Sequence, residues 1–369
     1  MVSYKAIACL VLAAFPSLTL AHPKSGPEAA KLLELHRRTA VAGTQALSQC
    51  NNTIEALSYT QAAANGRVDT LNAIRQAAGL GPGNRLVTPY VPVNADRKTV
   101  SKLSSRSLKD LKHWENKKVV NHDKTGIFGS PSDAWAKTQP QCAFVPEDTI
   151  GPYYYPGELV RSDISEGLAG VTMWLDVQLI DVNTCKPTSG MTVDIWATNP
   201  VGKYSHIPES AGQAGSDSHW QRGALSTGND GRAVFKMIFP GHYDDRATHV
   251  HLMARDAIHA KDPAGSPIVI GEEKEANVRH IGQVYFDDSL REQVERTSPY
   301  DSNTQKLLSN DEDDYAKYQA AKQYDPFVNY LFMNGKDVTG GIYAWISIGI
   351  DPKASNGQNQ FPSGRPWKQ

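Results

Sequence analysis

The sequence predicts a mainly β protein, an antiparallel β-sandwich preceded by a helical segment. Three observations support this fold class: short runs of alternating apolar residues after position 139, turn signals between those runs, and no regular amphipathic helix within the region they occupy. Many short strands with such connections are typical of two packed antiparallel sheets. The predicted strands cover 171–179, 193–198, 233–239, 248–253, 282–286 and 342–350.

Turn-forming residues separate these strands. Lys186-Pro187, Asn229-Asp230-Gly231 and Pro240-Gly241 combine residue types that favour tight turns. The stretch 288–330 is polar and only partly helical in pattern, so we expect it to wrap around the sandwich as an excursion. The predicted sandwich domain is therefore 140–354, and 355–369 is a loose C-terminal tail.

Composition and charge exclude several classes of function. The 369 residues carry 38 basic and 39 acidic side chains, and 40% of the residues are hydrophobic. This balance argues against a nucleic-acid binder, and the apolar content is too high for a largely disordered chain. No segment after the first 21 residues is long and apolar enough to cross a membrane. We therefore expect a small-molecule substrate, with no nucleic acid and no membrane as partner.

The first 21 residues have the pattern of a secretory signal peptide. Lys5 supplies a positive start, an apolar run follows over 6–20, and Thr19-Leu20-Ala21 offers the small residues that a signal peptidase needs. The apolar run is shorter than the roughly 20 residues that a membrane span requires. The sequence therefore predicts a secreted, extracellular protein.

Cleavage after residue 21 would leave three cysteines in a compartment that permits disulfides. Cys50, Cys142 and Cys185 allow at most one intramolecular bridge, and the sequence leaves all three pairings open. We favour Cys142–Cys185, because Cys50 lies in a different region of the chain. Asn51 begins the sequon Asn-Asn-Thr, which predicts glycosylation at that residue.

Residues 22–90 are predicted to form a helical N-terminal segment. Apolar residues recur at helical spacing over 27–50 and again over 54–80, and Gly81-Pro82-Gly83 ends the second helix. Such a pair of helices could cap the sandwich or could pair with its copy in a homodimer. The pattern does not decide between these arrangements.

Residues 91–139 are interpreted as a basic linker. Their most charged part, 97–124, holds nine Lys or Arg against three Asp or Glu and few large apolar groups. The alternative is a surface for anionic polymers or membranes. A solvated linker is favoured, because no aromatic platform accompanies the charges.

The segment 240–251 carries the most informative chemistry. Residues two apart in a strand point to the same face, so His249 and His251 direct their imidazoles together. That arrangement suits two ligands of one metal ion. Tyr243 precedes these histidines by six residues, and Tyr204 follows an earlier predicted strand. Two histidines and two tyrosines together indicate a particular kind of metal site.

A tyrosinate oxygen is an anionic ligand whose proton leaves near pH 10 in water, with the unperturbed pKa at about 10. Only a strongly Lewis-acidic ion holds it deprotonated at neutral pH. Ferric iron is the natural candidate. Fe(II) oxygenases instead use two histidines and one carboxylate, so the pair of tyrosines selects between the two mechanisms.

Motifs from about position 142 to about position 351 resemble, in order, those of the intradiol ring-cleavage dioxygenases, particularly the secreted fungal branch related to protocatechuate 3,4-dioxygenase. The similar segments are 145–154, 157–164, 175–178, 181–185, 194–196, 202–205 and 240–251. The resemblance implies an oxidoreductase of aromatic catabolism. It would insert both atoms of O2 into a catechol-type ring, cleaving it between the two hydroxylated carbons to a muconate-type diacid.

The resemblance also assigns a role to each site residue. Tyr204 and His251 would be the equatorial ligands, and Tyr243 and His249 the axial ligands, of one non-haem Fe(III) per chain. Tyr243 would become a catalytic base once the substrate displaces it, and Arg246 would stabilise charge on the reacting ring. The substrate-binding positions implied in the same way are Ile150, Gly151, Pro152 and Gln283.

One position departs from the family pattern. Ala197 stands where the family often has His after the Trp of its Asp-Ile-Trp strand. The position is not a ligand, so the change bears on packing or substrate choice rather than on iron binding.

Two other functions remain open at this point. The protein could be a non-catalytic secreted module that binds iron or phenols, since a fold does not guarantee turnover. Signal-peptide cleavage would also expose His22 at the new N-terminus, where its amine and imidazole could bind copper, as in secreted polysaccharide monooxygenases. Oxygen uptake with catechols separates the first alternative from the enzyme. Loss of bound copper on replacing His22 would identify the second.

Overall fold

The computed structural model describes residues 54–80, 108–118, 120–125, 151–155, 158–215, 217–256, 278–320 and 325–354. These residues form eight strands and four α-helices, together with short 3₁₀ turns. The strands are β1 Thr172–Asp181, β2 Thr192–Trp196, β3 Arg222–Ser226, β4 Arg232–Ile238, β5 His249–Arg255, β6 Val278–Tyr285, β7 Asn329–Phe332 and β8 Ile342–Ile350. The helices are α1 Ile54–Ala77, α2 Leu108–Glu115, α3 Asp288–Glu295 and α4 Asp314–Gln319.

The strands form two four-stranded sheets. Sheet I has the order β4-β1-β8-β7, and sheet II has the order β3-β2-β5-β6. The predicted mainly β sandwich is thus confirmed. One pairing differs from the purely antiparallel expectation, because β1 and β8 run parallel. β8 is antiparallel to β7, which precedes it, and it reaches β1 from a distant part of the chain, so no local connection fixes the relative direction of β1 and β8.

Alternation along the strands builds the core between the sheets. In β1, Met173 and Leu175 are fully buried in this core, while Trp174 and Asp176 point to the outer face of sheet I. In β5, Val250 enters the same core. The period of two in the sequence therefore sets which side chains each sheet presents outward.

All six predicted strands are present, and two further strands were not predicted. β3 contains too few apolar residues to produce an alternating signal, and β7 lies within the stretch interpreted as an excursion. That stretch also contributes α3 and α4, in agreement with its partly helical pattern.

Helix α1 covers the outer face of sheet I. Its residues Ala64 and Leu71 pack in one apolar cluster with Tyr343 and Trp345 of β8. This part of the N-terminal segment therefore caps the sandwich of its own chain. The first predicted helix, over 27–50, lies outside the described residues, and the homodimer stays a prediction.

The interpretation of 91–139 as a solvated linker is wrong for 108–125. Helix α2 buries Leu111 and Trp114 in a cluster with Tyr285 of β6 and Phe327. The apolar side chains of this helix recur every three residues and form one stripe. A count of charged residues does not reveal this stripe, because lysines lie between its members. The rest of 91–139 lies outside the described residues.

Several sequence predictions fall outside the described residues: the signal peptide, His22, Asn51, Ile150 and the C-terminal tail. Cys185 is described and forms a disulfide. Its partner lies outside the described residues, so the Cys142–Cys185 pairing stays a prediction. No helix within the described part of the chain is long and apolar enough to cross a membrane.

Candidate metal centre

The candidate site lies on the outer face of sheet II, where β5 presents two imidazoles. The neighbours of these histidines in β5, Val250 and Leu252, enter the core, so His249 and His251 project from the opposite face. Both imidazoles are buried. Their Nε2 atoms lie 3.2 Å apart. The alternation in this strand thus places two nitrogen ligands side by side, as the sequence predicts.

Two loops bring tyrosines to the same face. Tyr204 follows β2, and Tyr243 follows β4. The loops touch through their backbones at Gly202 and Gly241: a Cβ on Gly202 would collide with the His242 carbonyl oxygen, and a Cβ on Gly241 with the Pro200 carbonyl oxygen. The positive φ of Gly202 adds a second reason for glycine there. These glycines permit the close approach that brings the two phenols together.

The four predicted ligands converge in the structure. The Tyr243 hydroxyl lies 3.3 Å from His249 Nε2. The Tyr204 ring centroid is 5.7 Å from that of Tyr243 and 6.1 Å from that of His251. The two phenols are close enough that each influences the pKa of the other. Two oxygen and two nitrogen donors therefore share one small volume.

The spacing of these donors fits a single metal ion. Ligand atoms about 2.0–2.1 Å from one ion lie roughly 2.8–3.6 Å apart when the angle between them is about 90–120°. The 3.2 and 3.3 Å separations that join His249 Nε2 to His251 and Tyr243 fall in this range. His249 Nδ1 lies 2.7 Å from the Ala247 carbonyl oxygen. This contact places a proton on Nδ1 and leaves the Nε2 lone pair directed at the shared volume.

Burial sets the protonation of the tyrosines. It raises the pKa of the Tyr204 phenol well above its ordinary value and also raises that of Tyr243, and the Arg246 charge opposes both shifts. Without a cation both phenols are therefore protonated at neutral pH. Tyrosinate ligation here requires an ion acidic enough to displace those protons, and Fe(III) has that property.

Aromatic neighbours hold the ligand rings in place. Trp196 of β2 lies opposite His251 in the sheet and stacks on its imidazole, with centroids 4.8 Å apart and planes 4° apart. Tyr153 stacks on Tyr204 at 4.7 Å. Tyr153 directly follows Gly151 and Pro152, and so connects that predicted substrate-binding turn to the site. Ile150, the third residue of the turn, is not described.

A buried arginine joins the segments that carry these stacked tyrosines. Arg222 of β3 donates hydrogen bonds to the carbonyl oxygens of Ser205 and Tyr153, and it pairs with Glu158 at 3.2 Å. Its guanidinium carbon lies 5.9 Å from the centre of the Tyr204 ring. Arg222 therefore fixes the backbone on either side of the stacked pair, although no sequence motif pointed to it.

Arg246 lies in a second cluster beside the four donors. Its Nη2 donates to Gln283 Oε1 and, at 2.9 Å, to the Tyr285 hydroxyl. Its Nε donates to Asp313 Oδ2 at 3.0 Å. The structure thus brings together Arg246 and Gln283, both predicted from sequence. It adds Tyr285 and Asp313, which were not predicted; strand alternation from Gln283 could have found Tyr285, but nothing local points to Asp313.

Comparison with known families agrees with this geometry. Residues 151–323 match a family model described as dioxygenase. Over this stretch the chain is similar to dioxygenases, in agreement with the resemblance of its motifs. The matched residues include all four predicted ligands of the intradiol site, as well as Arg246 and Gln283.

Solved structures of dioxygenases are similar to this chain. An intradiol ring-cleavage dioxygenase from Tetranychus urticae is 27% identical, covers 58% of this chain and 98% of its own, and gives a TM-score of 0.47. The dioxygenase domain of a carbohydrate-binding fusion protein from Streptomyces sp. SirexAA-E is 20% identical over 56% and 98% of the two chains, with a TM-score of 0.35. No curated protein matches the chain.

Proposed function

We propose that this protein is a secreted non-haem Fe(III) dioxygenase that cleaves catechol-type rings between the two hydroxylated carbons, giving muconate-type diacids. The observation that carries the proposal is the convergence of four side chains. The donor atoms of Tyr243, His249 and His251 have ligand-like separations, and the Tyr204 ring lies beside those of Tyr243 and His251. Two phenol oxygens and two imidazole nitrogens suit Fe(III) better than Fe(II) or Zn²⁺.

The two tyrosine ligands proposed here differ in exposure, and this difference suggests that they have different roles. Tyr204 is 1% exposed and is held between Tyr153 and Arg222, whereas Tyr243 is only partly buried and lies on a loop. Bound Fe(III) would hold both oxygens of the catechol and make its ring reactive towards O2. We assign Tyr243 as the ligand that gives way to the substrate and accepts a proton at its phenol oxygen. Tyr204 stays in place.

Arg246 is assigned to the substrate ring. It is buried, and its charge lies beside the donors in a region shielded from water, where a fixed cation stabilises developing negative charge strongly. Gln283 and Tyr285 accept hydrogen bonds from the same Nη2 atom and hold the guanidinium against β6. Tyr285 also donates to Gln283 Oε1 at 2.8 Å, which adds a third hydrogen bond to this cluster.

Secretion is part of the proposal. The pattern of the first 21 residues supports it, and the disulfide at Cys185 supports an oxidising compartment. Mass spectrometry of protein recovered from the medium of a secreting host should find His22 as the first residue and a glycan on Asn51. Retention of the intact N-terminus inside the cell would refute secretion.

The decisive experiment combines metal analysis, spectroscopy and oxygen uptake on one purified sample. We expect about one iron per chain, a red-brown tyrosinate-to-iron band that shifts when catechol is added without O2, and uptake of one O2 per catechol when air is admitted. Catechol, hydroxyquinol and protocatechuate, assayed side by side, would rank the ring substituents.

Each alternative function predicts a different result. Iron and colour without oxygen uptake on any of these diols would favour the non-catalytic binding module. A colourless protein with one copper per chain, lost in His22→Ala, would favour the copper monooxygenase. Light scattering on the same sample tests the predicted homodimer, and a monomer mass would exclude it.

A further inference from the structure

The carboxylate of Asp313 receives hydrogen bonds from four N–H groups. Oδ1 accepts from the backbone N–H groups of Tyr315 and Ala316, which begin helix α4, at 2.8 and 3.3 Å. Oδ2 accepts from the Ala247 N–H at 2.7 Å and from Arg246 Nε at 3.0 Å. The residue is 1% exposed. One oxygen therefore caps a helix, and the other faces the candidate site.

Through Oδ2, Asp313 is connected both to the Arg246 cluster and to the proposed metal ligand His249. Arg246, held at Nε, directs its Nη2 to Gln283 and Tyr285. Ala247, held at its N–H, turns its carbonyl oxygen to His249 Nδ1 at 2.7 Å. One side chain thus orients a guanidinium and, through the backbone of the single residue Ala247, the hydrogen bond that determines which nitrogen of His249 faces the metal volume.

A second contact from the same helix supports the arginine. The Tyr315 ring lies under Arg246, with the guanidinium carbon 4.5 Å from the ring centre. Helix α4 therefore contributes a carboxylate at the edge of the guanidinium and an aromatic face beneath it. The hydrogen bonds from Asp313 to the site run through Arg246 and Ala247, and its charge also raises the pKa of the Tyr243 phenol.

We propose that Asp313 is a positioning residue for ring cleavage, which holds Arg246 and the Ala247 peptide in the orientation that the reaction uses. This inference rests on the proposed function of the site. A helix cap alone requires only Oδ1, whereas the two bonds at Oδ2 point away from the helix and towards the site. The contacts at Oδ2 are therefore the ones to test.

Asp313→Asn separates the two roles. Asparagine is as good an N-cap as aspartate, so α4 keeps its start. The amide has only one oxygen, however. With that oxygen on the cap, its NH2 group faces the N–H groups of Arg246 and Ala247, donor against donor. We expect kcat for catechol to fall about 10- to 100-fold, as for loss of a charge-assisted hydrogen bond, with iron content unchanged.

A double-mutant cycle asks whether Asp313 acts through Arg246. Arg246→Ala alone should lower kcat by about 100-fold or more while iron is retained. Adding Asp313→Asn to Arg246→Ala should lower kcat by less than a further factor of about 3, since the guanidinium to be positioned is gone. Fully multiplicative losses would overturn the inference that Asp313 acts by positioning Arg246.

A readout without turnover tests the same contact in metal-free protein. The Arg246 Nε–H resonance, identified by its loss in Arg246→Lys, should exchange slowly with solvent in the wild type. In Asp313→Asn it should exchange at least about 10-fold faster, because its buried acceptor is gone. An unchanged exchange rate would overturn the positioning role, even if that variant is less active.

The matched control is Asp314→Asn, at the next residue. Asp314 is largely exposed and pairs with Lys317 in the same helix, so its replacement should leave kcat and the Arg246 resonance as in the wild type. The two possible failures are distinguishable. A wild-type protein that consumes no O2 with any catechol refutes the proposed function, whereas an active wild type matched by an equally active Asp313→Asn refutes only this inference.

Discussion

The outer faces of the two sheets each bury a cluster of tyrosine and charged or ionisable side chains, and the clusters differ in how charge is balanced. On sheet I, Asp176 of β1 and Tyr343 of β8 meet Arg232 of β4 and Arg67 of α1. On sheet II, two phenols meet two imidazoles. Both clusters occupy outward positions of the strands or of the loops beside them.

The sheet I cluster contains its own countercharges. Asp176 accepts from Arg232 Nε at 3.0 Å and from the Tyr343 hydroxyl at 2.6 Å, and Arg67 Nε lies 3.7 Å from it. Burial alone would raise the pKa of Asp176, but the Arg67 and Arg232 charges outweigh it, and the pKa is lowered. The carboxylate is therefore ionised and bonded within the protein. This cluster attaches α1 to the sandwich.

The sheet II cluster has a different balance. Its four converging donors include no carboxylate and no cation, and two of its nitrogens lie 3.2 Å apart, where at most one proton fits between them. Buried polarity alone therefore does not mark a metal site. The charges of the sheet I cluster are balanced within the protein, whereas the lone pairs gathered on sheet II are suited to a cation.

The same substitution made in both clusters tests most directly whether they differ in function. Tyr204→Phe deletes a proposed ligand oxygen, so we expect loss of iron, of the visible band and of activity by about 10³-fold or more. Tyr343→Phe, the matched change on sheet I, should keep all three. Metal analysis and absorption spectra of both variants measure these differences. Full iron in Tyr204→Phe would show that its ligand assignment is wrong.

The next effect concerns stability. Asp176→Asn leaves Arg67 and Arg232 buried together without their countercharge, and we expect the free energy of unfolding to fall by about 3–5 kcal/mol. Urea unfolding measures the loss. Asp230→Asn is the control, because that carboxylate pairs with the same Arg232 but is partly exposed, and its replacement should cost about 1 kcal/mol or less. Equal losses in the two variants would contradict this account of sheet I.

A histidine held by carboxylates extends the comparison. His122 lies between Asp287, 3.3 Å from its Nδ1, and Asp325, 2.8 Å from its Nε2. Burial lowers its pKa, but the two carboxylates outweigh burial and raise the pKa to about 9. Unlike the imidazoles on β5, this one has its countercharges within the protein, so it is cationic at neutral pH.

The raised pKa of His122 predicts a pH dependence with a definite sign. Because the folded pKa exceeds the unfolded value of about 6.5, the protonated imidazole stabilises the fold by about 3 kcal/mol below pH 6.5, and this contribution disappears as pH rises through about 9. The unfolding free energies of wild type and His122→Gln should therefore converge over that interval. The exposed His113, changed to Gln, should show no such convergence. A constant gap for His122→Gln would argue against a charged imidazole.

The smallest effect tests the hydrogen bond from Tyr343 to Asp176. Tyr343→Phe removes one donor from a carboxylate that keeps both arginines, so we expect a loss of about 1–2 kcal/mol in the free energy of unfolding. Differential scanning calorimetry should show a modestly lower Tm. A loss as large as that of Asp176→Asn would mean that the phenol, rather than the charges, supports this cluster.

Much of the fold followed from local patterns. Alternation predicted β1, β2, β4, β5, β6 and β8, because a half-buried strand must send every second residue into the core. The parallel pairing of β1 with β8 did not follow, since pairing depends on where a distant strand returns. The docking of α2 was also missed, because its two buried residues are a small part of a highly charged segment.

The candidate site was likewise predicted only in part from local patterns. His249, His251, Tyr204 and Tyr243 were found from strand alternation, residue chemistry and family motifs within short segments. Their partners were not found. Arg222 pairs with a residue 64 positions away and Asp313 with one 67 positions away, and no local period connects residues so far apart.

Local sequence patterns were sufficient to predict six of the eight described strands, the face on which two imidazoles project, and the donor types that point to ferric iron. They could do so because side-chain direction in a strand and the chemistry of a ligand are local properties. Only the tertiary structure decided which buried charges are neutralised within the protein, that α1 covers sheet I, and that Asp313 lies behind Arg246. Electrostatic balance depends on distances between residues that are remote in the chain, and those distances exist only after folding.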